Sequence, residues 1–260
     1  MIRPWSEHED LVAFFSASRN RPDDLYPSER RFLPWLASQA GEVLDVGCAA
    51  GGFSEVWRYY RSDVDYTGID LSREMIAIAR AAHPDHTFLT GDCAEGLPFP
   101  DEGFAAVQAL GWLHWEPRYE AALRELWRLA RRYCFIDVRL LETGRPTIRG
   151  QQRIAYTKDW DGSTVTPYIA VEWVEFARLL ASLHPRRIYG HGYWGAPSDT
   201  VTGVDQQVCF STFLLEKSAA ADNTCTVCLD SPLEWPAGID EAAYTVVPAS
   251  VLNSLCPRSV

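Results

Sequence analysis

Beginning at Glu42, strand-like runs alternate with segments of helical period: EVLDVG, a helix over 53–60, DYTGID, a helix over 72–81, HTFLTGD and FAAVQAL. A helix over 119–130, YCFIDVRL, a helix over 171–183, RRIYGHGYW and VCFSTFLLEK follow. Parallel strands need crossover connections, and those crossovers are right-handed. The alternation therefore predicts a doubly wound α/β fold, a mostly parallel sheet with helices on both faces. Ahead of it, Ser6 to Glu9 spell a capping box, and a second helix is expected to open at Ser28 and to bend or end at Pro34. Residues 1–40 are read as a helical cover and 41–218 as the α/β domain. The 142–170 connection exceeds the roughly 12–15 residues at which structureless loops become uncommon, so it is expected to be a lid or substrate insert. Residues 219–260 form a C-terminal extension, with an added edge strand preferred over a dimer contact or a reach across the acceptor pocket.

Charge narrows the choice of partners. With 24 Lys and Arg against 35 Asp and Glu, the chain carries a formal charge of -11, which argues against a groove that tracks phosphates and so against nucleic acid. No stretch approaches the ~18 apolar residues of a membrane span, and Met1 to Trp5 lack the apolar centre of a signal peptide. A cytoplasmic protein is expected, with no membrane partner and a homodimer as one option. Seven scattered cysteines suit a reducing compartment. Cys225 and Cys228 form a lone CxxC without a second pair, so they are read as strand residues, and no metal is expected.

The stretch VLDVGCAAGG, residues 43–52, ends an apolar run in a glycine-rich turn with Asp45 beside it. One reading of Gly47, Gly51 and Gly52 is a tight strand-to-helix turn needing positive φ. The other is a nucleotide-type ligand lying at the carboxyl end of the strand. Ala49 occupies the middle place of the dinucleotide pattern, and Asp45 would repel a pyrophosphate but favour a cation. A nucleoside that carries an ammonium and a sulfonium, S-adenosylmethionine, fits those electrostatics.

On these residues the chain resembles the class I S-adenosylmethionine-dependent methyltransferases, in particular their small-molecule group. VLDVGCAAGG is similar to the family's first motif, with Ala49 where glycine is usual. YTGIDLSREMIAIAR resembles the second, and FLTGDCAEGLPFPDEGFAAVQA the third with the fourth strand. The resemblance implies a seven-stranded sheet whose last strand is antiparallel, S-adenosylmethionine as cofactor and S-adenosylhomocysteine as product. It implies cofactor contacts at Asp45, Gly47, Cys48, Ala49 and Gly51, and ribose hydrogen bonds to Asp70 beside Leu71. It further implies adenine contacts at Asp92 and Cys93, and a wall from Leu110, Gly111 and Trp112. Asp70 follows Asp45 at about the βαβ spacing where an acid should meet a ribose. Taken alone, Asp92 reads first as a turn-forming residue after a strand; three acids in series, each at the carboxyl end of a successive strand, favour the ligand reading.

Methyl transfer asks chiefly for positioning, and a base is needed only when the nucleophile carries a proton. His114, just past the fourth strand, is the candidate base, or else a residue satisfied by a loop carbonyl. Trp115, Tyr156, Trp160, Tyr168, His191 and Tyr193 are candidates to line an aromatic pocket for a small acceptor, or to be ordinary packing. Arg30 is a conceivable partner for the methionine carboxylate. A small-molecule methyltransferase acting at O, N or C is the leading reading, possible in specialised metabolism. The alternatives are a noncatalytic binder of the same cofactor, another reaction of that cofactor on this fold, and a nicotinamide oxidoreductase, which Asp45 and Ala49 disfavour.

Overall fold

The computed structural model describes residues 19–153, 165–217, 224–239 and 244–255. The capping box at Ser6, and Tyr156 and Trp160, lie outside the described residues. The strands are β1 (Glu42–Val46), β2 (Asp65–Asp70), β3 (Thr87–Thr90), β4 (Phe104–Ala109), β5 (Ala130–Leu141), β6 (Ile148–Arg153), β7 (Val165–Glu172), β8 (Arg187–Gly195), β9 (Val201–Thr202), β10 (Val208–Glu216), β11 (Cys225–Asp230) and β12 (Tyr244–Val247). The main path of the sheet runs β12-β11-β8-β10-β5-β4-β1-β2-β3. Only β10 in this path is antiparallel, paired with β5 on one side and β8 on the other.

The order matches the expected doubly wound architecture, but the path holds nine strands rather than seven. The difference lies in the extension, where β11 adds in parallel to β8 and β12 adds in parallel to β11. Without β11, the outer edge of β8 would present unpaired backbone groups. Cys225 packs into the core on one face of the sheet and Cys228 into the core on the other, as their odd spacing on a strand requires. They cannot share a metal ion.

The helices follow the sequence closely: α1 (Pro27–Gln39), α2 (Phe53–Tyr60), α3 (Arg73–Ala82), α4 (Tyr119–Leu129), α5 (Trp173–Ser182) and α6 (Ser250–Leu255). Ser72 caps α3 by accepting from the Met75 N–H at 3.2 Å. The helix does not end at Pro34: α1 continues to Gln39. A proline inside a helix costs about 3 kcal/mol, whereas burying a large apolar side chain returns about 1.5–3 kcal/mol. Phe32, Leu33 and Leu36 are all fully buried, so tertiary packing outweighs the lost hydrogen bond.

Two cores sandwich the sheet. Leu44, Val46, Ile69, Val107 and Ile136 face α4 and α5, while Val43, Tyr66, Phe135 and Leu214 face α1, α2 and α3. The 142–170 connection contains β6 and the start of β7, an antiparallel pair in register Ile148↔Ala170 through Arg153↔Val165. β7 then runs on beside the end of β5, at Leu140↔Val171. Among the described residues, no helix is long and apolar enough to cross a membrane.

Candidate functional site

A cavity opens where β1, β2 and β4 end, which is where parallel α/β sheets bind ligands. Gly47, Cys48, Ala49, Asp70, Leu71, Asp92, Cys93, Leu110, Gly111, Trp112 and Trp115 all line it. The turn after β1 shapes its floor, with positive φ at Gly47 (77°), Ala49 (47°) and Gly51 (84°). A side chain at Gly47 would place a Cβ 2.3 Å from Cδ1 of Trp112. That indole is fixed across the turn by its own N–H, which donates to the Val46 carbonyl at 2.6 Å.

Asp70 ties this turn to the end of β2. Its Oδ2 accepts the Ala49 N–H at 2.9 Å and its Oδ1 accepts the Ser72 N–H at 2.8 Å. Burial pushes the Asp70 carboxyl up, and these backbone donors pull it back. The first of them also explains how a non-glycine holds a left-handed conformation, a cost on the order of 1 kcal/mol that a charge-assisted hydrogen bond offsets. After β3, Asp92 caps a short 3-10 turn by accepting the Ala94 N–H at 2.9 Å, and its other oxygen meets Arg118 at 2.8 Å. Cys93 is buried, with its sulfur 3.6 Å from the Ala122 carbonyl.

Two glycine-turn expectations are corrected. Asp45 does not stand at the lip: it is 2% exposed, lies off the cavity wall, and accepts the Tyr66 hydroxyl. Strand alternation gives the cavity side to Val46 and turns Asp45 to the opposite face. Burial raises its pKa to about 6, against the hydrogen bonds from Tyr66 and Gln108. Gly51 also lies behind the wall, with Phe88 and His83 at 2.9 and 3.0 Å from where a Cβ would sit, and Gly52 lines the cavity instead.

Side chains from distant segments gather beyond Trp112. Trp115 donates its indole N–H to Gln152 at 2.8 Å. His114 stands off the cavity wall, its ring 4.7 Å from that of Trp115 and 5.4 Å from that of Tyr168. Burial and the nearby Arg139 charge hold His114 well below the usual histidine range, so it is neutral at neutral pH. Arg139 pairs with Asp137 at 2.8 Å, and Asp137 also accepts the Gly111 N–H at 2.5 Å. Arg139 lies over the Phe210 ring at 4.6 Å, and Tyr193 stacks on the far side of that row, 5.5 Å from Phe210. His191 sits two residue pairs further along the same ladder, with Nδ1 3.4 Å from Asp230.

Residues 43–132 match the family model described as a methyltransferase domain. Over 105 residues the chain is 37% identical to a malonyl-[acyl-carrier protein] O-methyltransferase of Pectobacterium atrosepticum, covering 40% of each protein. Over 92 residues it is 40% identical to a fatty-acid O-methyltransferase of Mycolicibacterium smegmatis, covering 34% of this chain and 33% of that one. The chain thus spans well under half the length of the curated relatives it matches. The architecture is shared with the N-terminal domain of EvdMO1 solved with SAH bound, at TM-score 0.52 and 16% identity, over 74% of this chain and 82% of that one.

The matched residues 43–132 hold the cofactor-contact candidates Asp45 to Trp112; Arg139, Tyr168, Tyr193 and Phe210 lie beyond them in the chain. Arg30 does not reach the cavity: its Nε donates to the Leu25 carbonyl at 3.0 Å. Arg19 lines the wall instead, paired with Glu29 and lying over the Phe53 ring at 4.7 Å. Nothing local in its sequence marks Arg19, whereas Phe53 and Met75, also on the wall, follow from the inward faces of α2 and α3.

Proposed function

We propose that the protein is an S-adenosylmethionine-dependent methyltransferase acting on a small-molecule acceptor. The observation that carries this reading is Asp70, whose two oxygens accept the Ala49 and Ser72 N–H groups while the carboxylate lines the cavity. A carboxylate offers about four acceptor sites, which leaves capacity for ribose hydroxyls. The other walls fit the same ligand. Gly47 leaves the space that a side chain would fill, Leu71 lies at the lip at 58% exposure, and Asp92 and Cys93 bound the adenine end. Leu110, Gly111 and Trp112 close the methionine side, with Arg19 placed to meet its carboxylate. Asp45 contributes from below, through Tyr66 and the turn.

When bound, the cofactor supplies an electrophilic methyl on a sulfonium, and its departure as a neutral thioether needs no acid. The protein's share is therefore orientation: the Asp70 clamp fixes the nucleoside, and the rigid Gly47 to Gly51 turn fixes the sulfur-bearing arm. His114 would act as a base only for an acceptor that arrives protonated. Because two of the curated relatives are O-methyltransferases, oxygen is the attacking atom this reading favours. Among the described residues, six cysteines are free and buried, in accord with a reducing, cytoplasmic setting.

Isothermal titration with S-adenosylmethionine, S-adenosylhomocysteine, NAD and NADP tests the reading. Binding of the first two alone is expected. Binding of NAD or NADP in their place would overturn it.

A further inference from the structure

The acceptor side carries a buried cation that the methyl-donor reading leaves without a task. Arg139 and Asp137 share one face of β5, and both are nearly buried, with side chains 11% and 9% exposed. Arg139 Nη1 donates to Asp137 at 2.8 Å and to the Val138 carbonyl at 3.3 Å, yet its Nε has no partner among the described residues. His114 Nδ1, in a ring 6% exposed, likewise has none. Two unsatisfied polar atoms in one buried cluster are costly.

The pairing register sets a cross-strand row, Arg139 on β5, Phe210 on β10 and Tyr193 on β8. The row runs from buried to open: Arg139 is covered, Phe210 half-buried and Tyr193 40% exposed. Tyr168, on β7, and Tyr26, at the start of α1, both lie near enough to act on the Arg139 charge. A short bridge joins the row to the cavity, because Gly111 lines the cavity and donates its N–H to the same Asp137 that holds Arg139.

We infer that the acceptor is a carboxylate with an apolar body, its carboxyl group held by Arg139 and its body laid along Phe210 and Tyr193. This rests on the methyltransferase reading above. A planar guanidinium fork matches a carboxylate, and the partial neutralisation of Arg139 by Asp137 suits a monoanion better than a dianionic phosphate. A carboxylate is ionised at neutral pH, so it needs no base, in keeping with a His114 that stands off the cavity wall. In the step itself, a carboxylate oxygen attacks the sulfonium methyl carbon and the C–O bond forms as the S–CH3 bond breaks. The electron pair goes to sulfur, and a methyl ester and S-adenosylhomocysteine leave with no proton transferred.

The test uses the full chain and two matched probe pairs, octanoate against octanol and benzoate against benzyl alcohol. Binding is measured by titration with and without S-adenosylhomocysteine, and transfer by labelled methyl ester formation. The acid of each pair is expected to bind at least about 10-fold more tightly than its alcohol, the span of one charge-assisted contact. R139Q should erase that preference, R139K should restore part of it, and S-adenosylhomocysteine affinity should be unchanged in both. The double variant D137N/R139Q, which strands no buried carboxylate, should behave as R139Q does. Alcohols bound as well as acids, no acid binding, or an acid preference that survives in R139Q and the double variant would each overturn the inference. Loss of cofactor binding in the wild type would instead overturn the methyltransferase reading, since acid binding is read without cofactor as well.

Discussion

The two halves of the sheet hold their charged groups in different ways. On the donor side, around β1, β2 and β3, Asp70 and Asp92 accept backbone N–H groups from residues in adjoining turns, at 2.8 to 2.9 Å. On the acceptor side, Asp137 is held by a guanidinium two residues along its own strand and by the N–H of Gly111 from β4's end. Backbone donors arrive with the turn and cannot rotate away, so the donor side is built by local geometry. The acceptor side is assembled from side chains that meet only because β5, β7, β8 and β10 come together. On the proposed reading, a fixed cofactor suits the first construction and a variable acceptor suits the second.

The largest break in this comparison is expected from Asp70→Ala. On the proposed reading it removes two ribose contacts to a charged group and leaves the Ala49 and Ser72 N–H groups without their acceptor, so cofactor affinity should fall by about 3 kcal/mol, roughly 100-fold. Titration calorimetry measures this, and an unchanged affinity would mean that the clamp serves the turn alone. Gly47→Ala should come next. Its methyl would meet Trp112 at 2.3 Å in a left-handed conformation, and a loss of about 2–3 kcal/mol in urea unfolding is expected.

pH separates the halves with opposite signs. Folding raises the Asp45 pKa from 3.8 to about 6, so in that window the folded protein keeps a proton that the unfolded chain has lost. Stability therefore falls as pH rises through the window, by roughly 3 kcal/mol in all. D45N should be the more stable protein at pH 8 and lose its advantage near pH 4. His114 works the other way: its pKa is lowered, so the folded state loses stability as pH drops below the unfolded histidine value, and H114Q should blunt that acid loss. Unfolding midpoints of both variants across pH 4 to 8 check the pair, and parallel curves would refute the contrast.

The smallest effect belongs to Arg118→Ala. Arg118 bridges Asp92, Glu95 and Glu116, but its side chain is 43% exposed, and such surface pairs contribute at most about 1 kcal/mol. Cofactor affinity should change less than about 5-fold. A larger loss would show that Arg118, and not only the backbone, orients Asp92.

The donor side was legible because each of its contacts lies within a few residues of a strand end. A turn that needs positive φ at Gly47 and an acid closing β2 leave their marks in consecutive letters. Asp45 was misplaced because alternation along β1 depends on which face the cavity occupies, and one residue of offset turned its carboxylate away. The edge strand expected from the extension is β11, which pairs with β8, whereas the extent of α1 beyond Pro34 and the further addition of β12 depended on what those segments could bury.

The sequence by itself determined the alternating α/β order, the position of the glycine turn and the acids at the ends of β2 and β3, because hydrophobic period and turn chemistry act over short spans. Only the tertiary structure decided that Arg19 reaches the cavity wall, that Asp45 lies beneath it, and that Arg139, Tyr168, Tyr193 and His114 form one cluster. Those contacts join residues far apart in the chain, and strand order and register, which no local pattern encodes, bring them within reach.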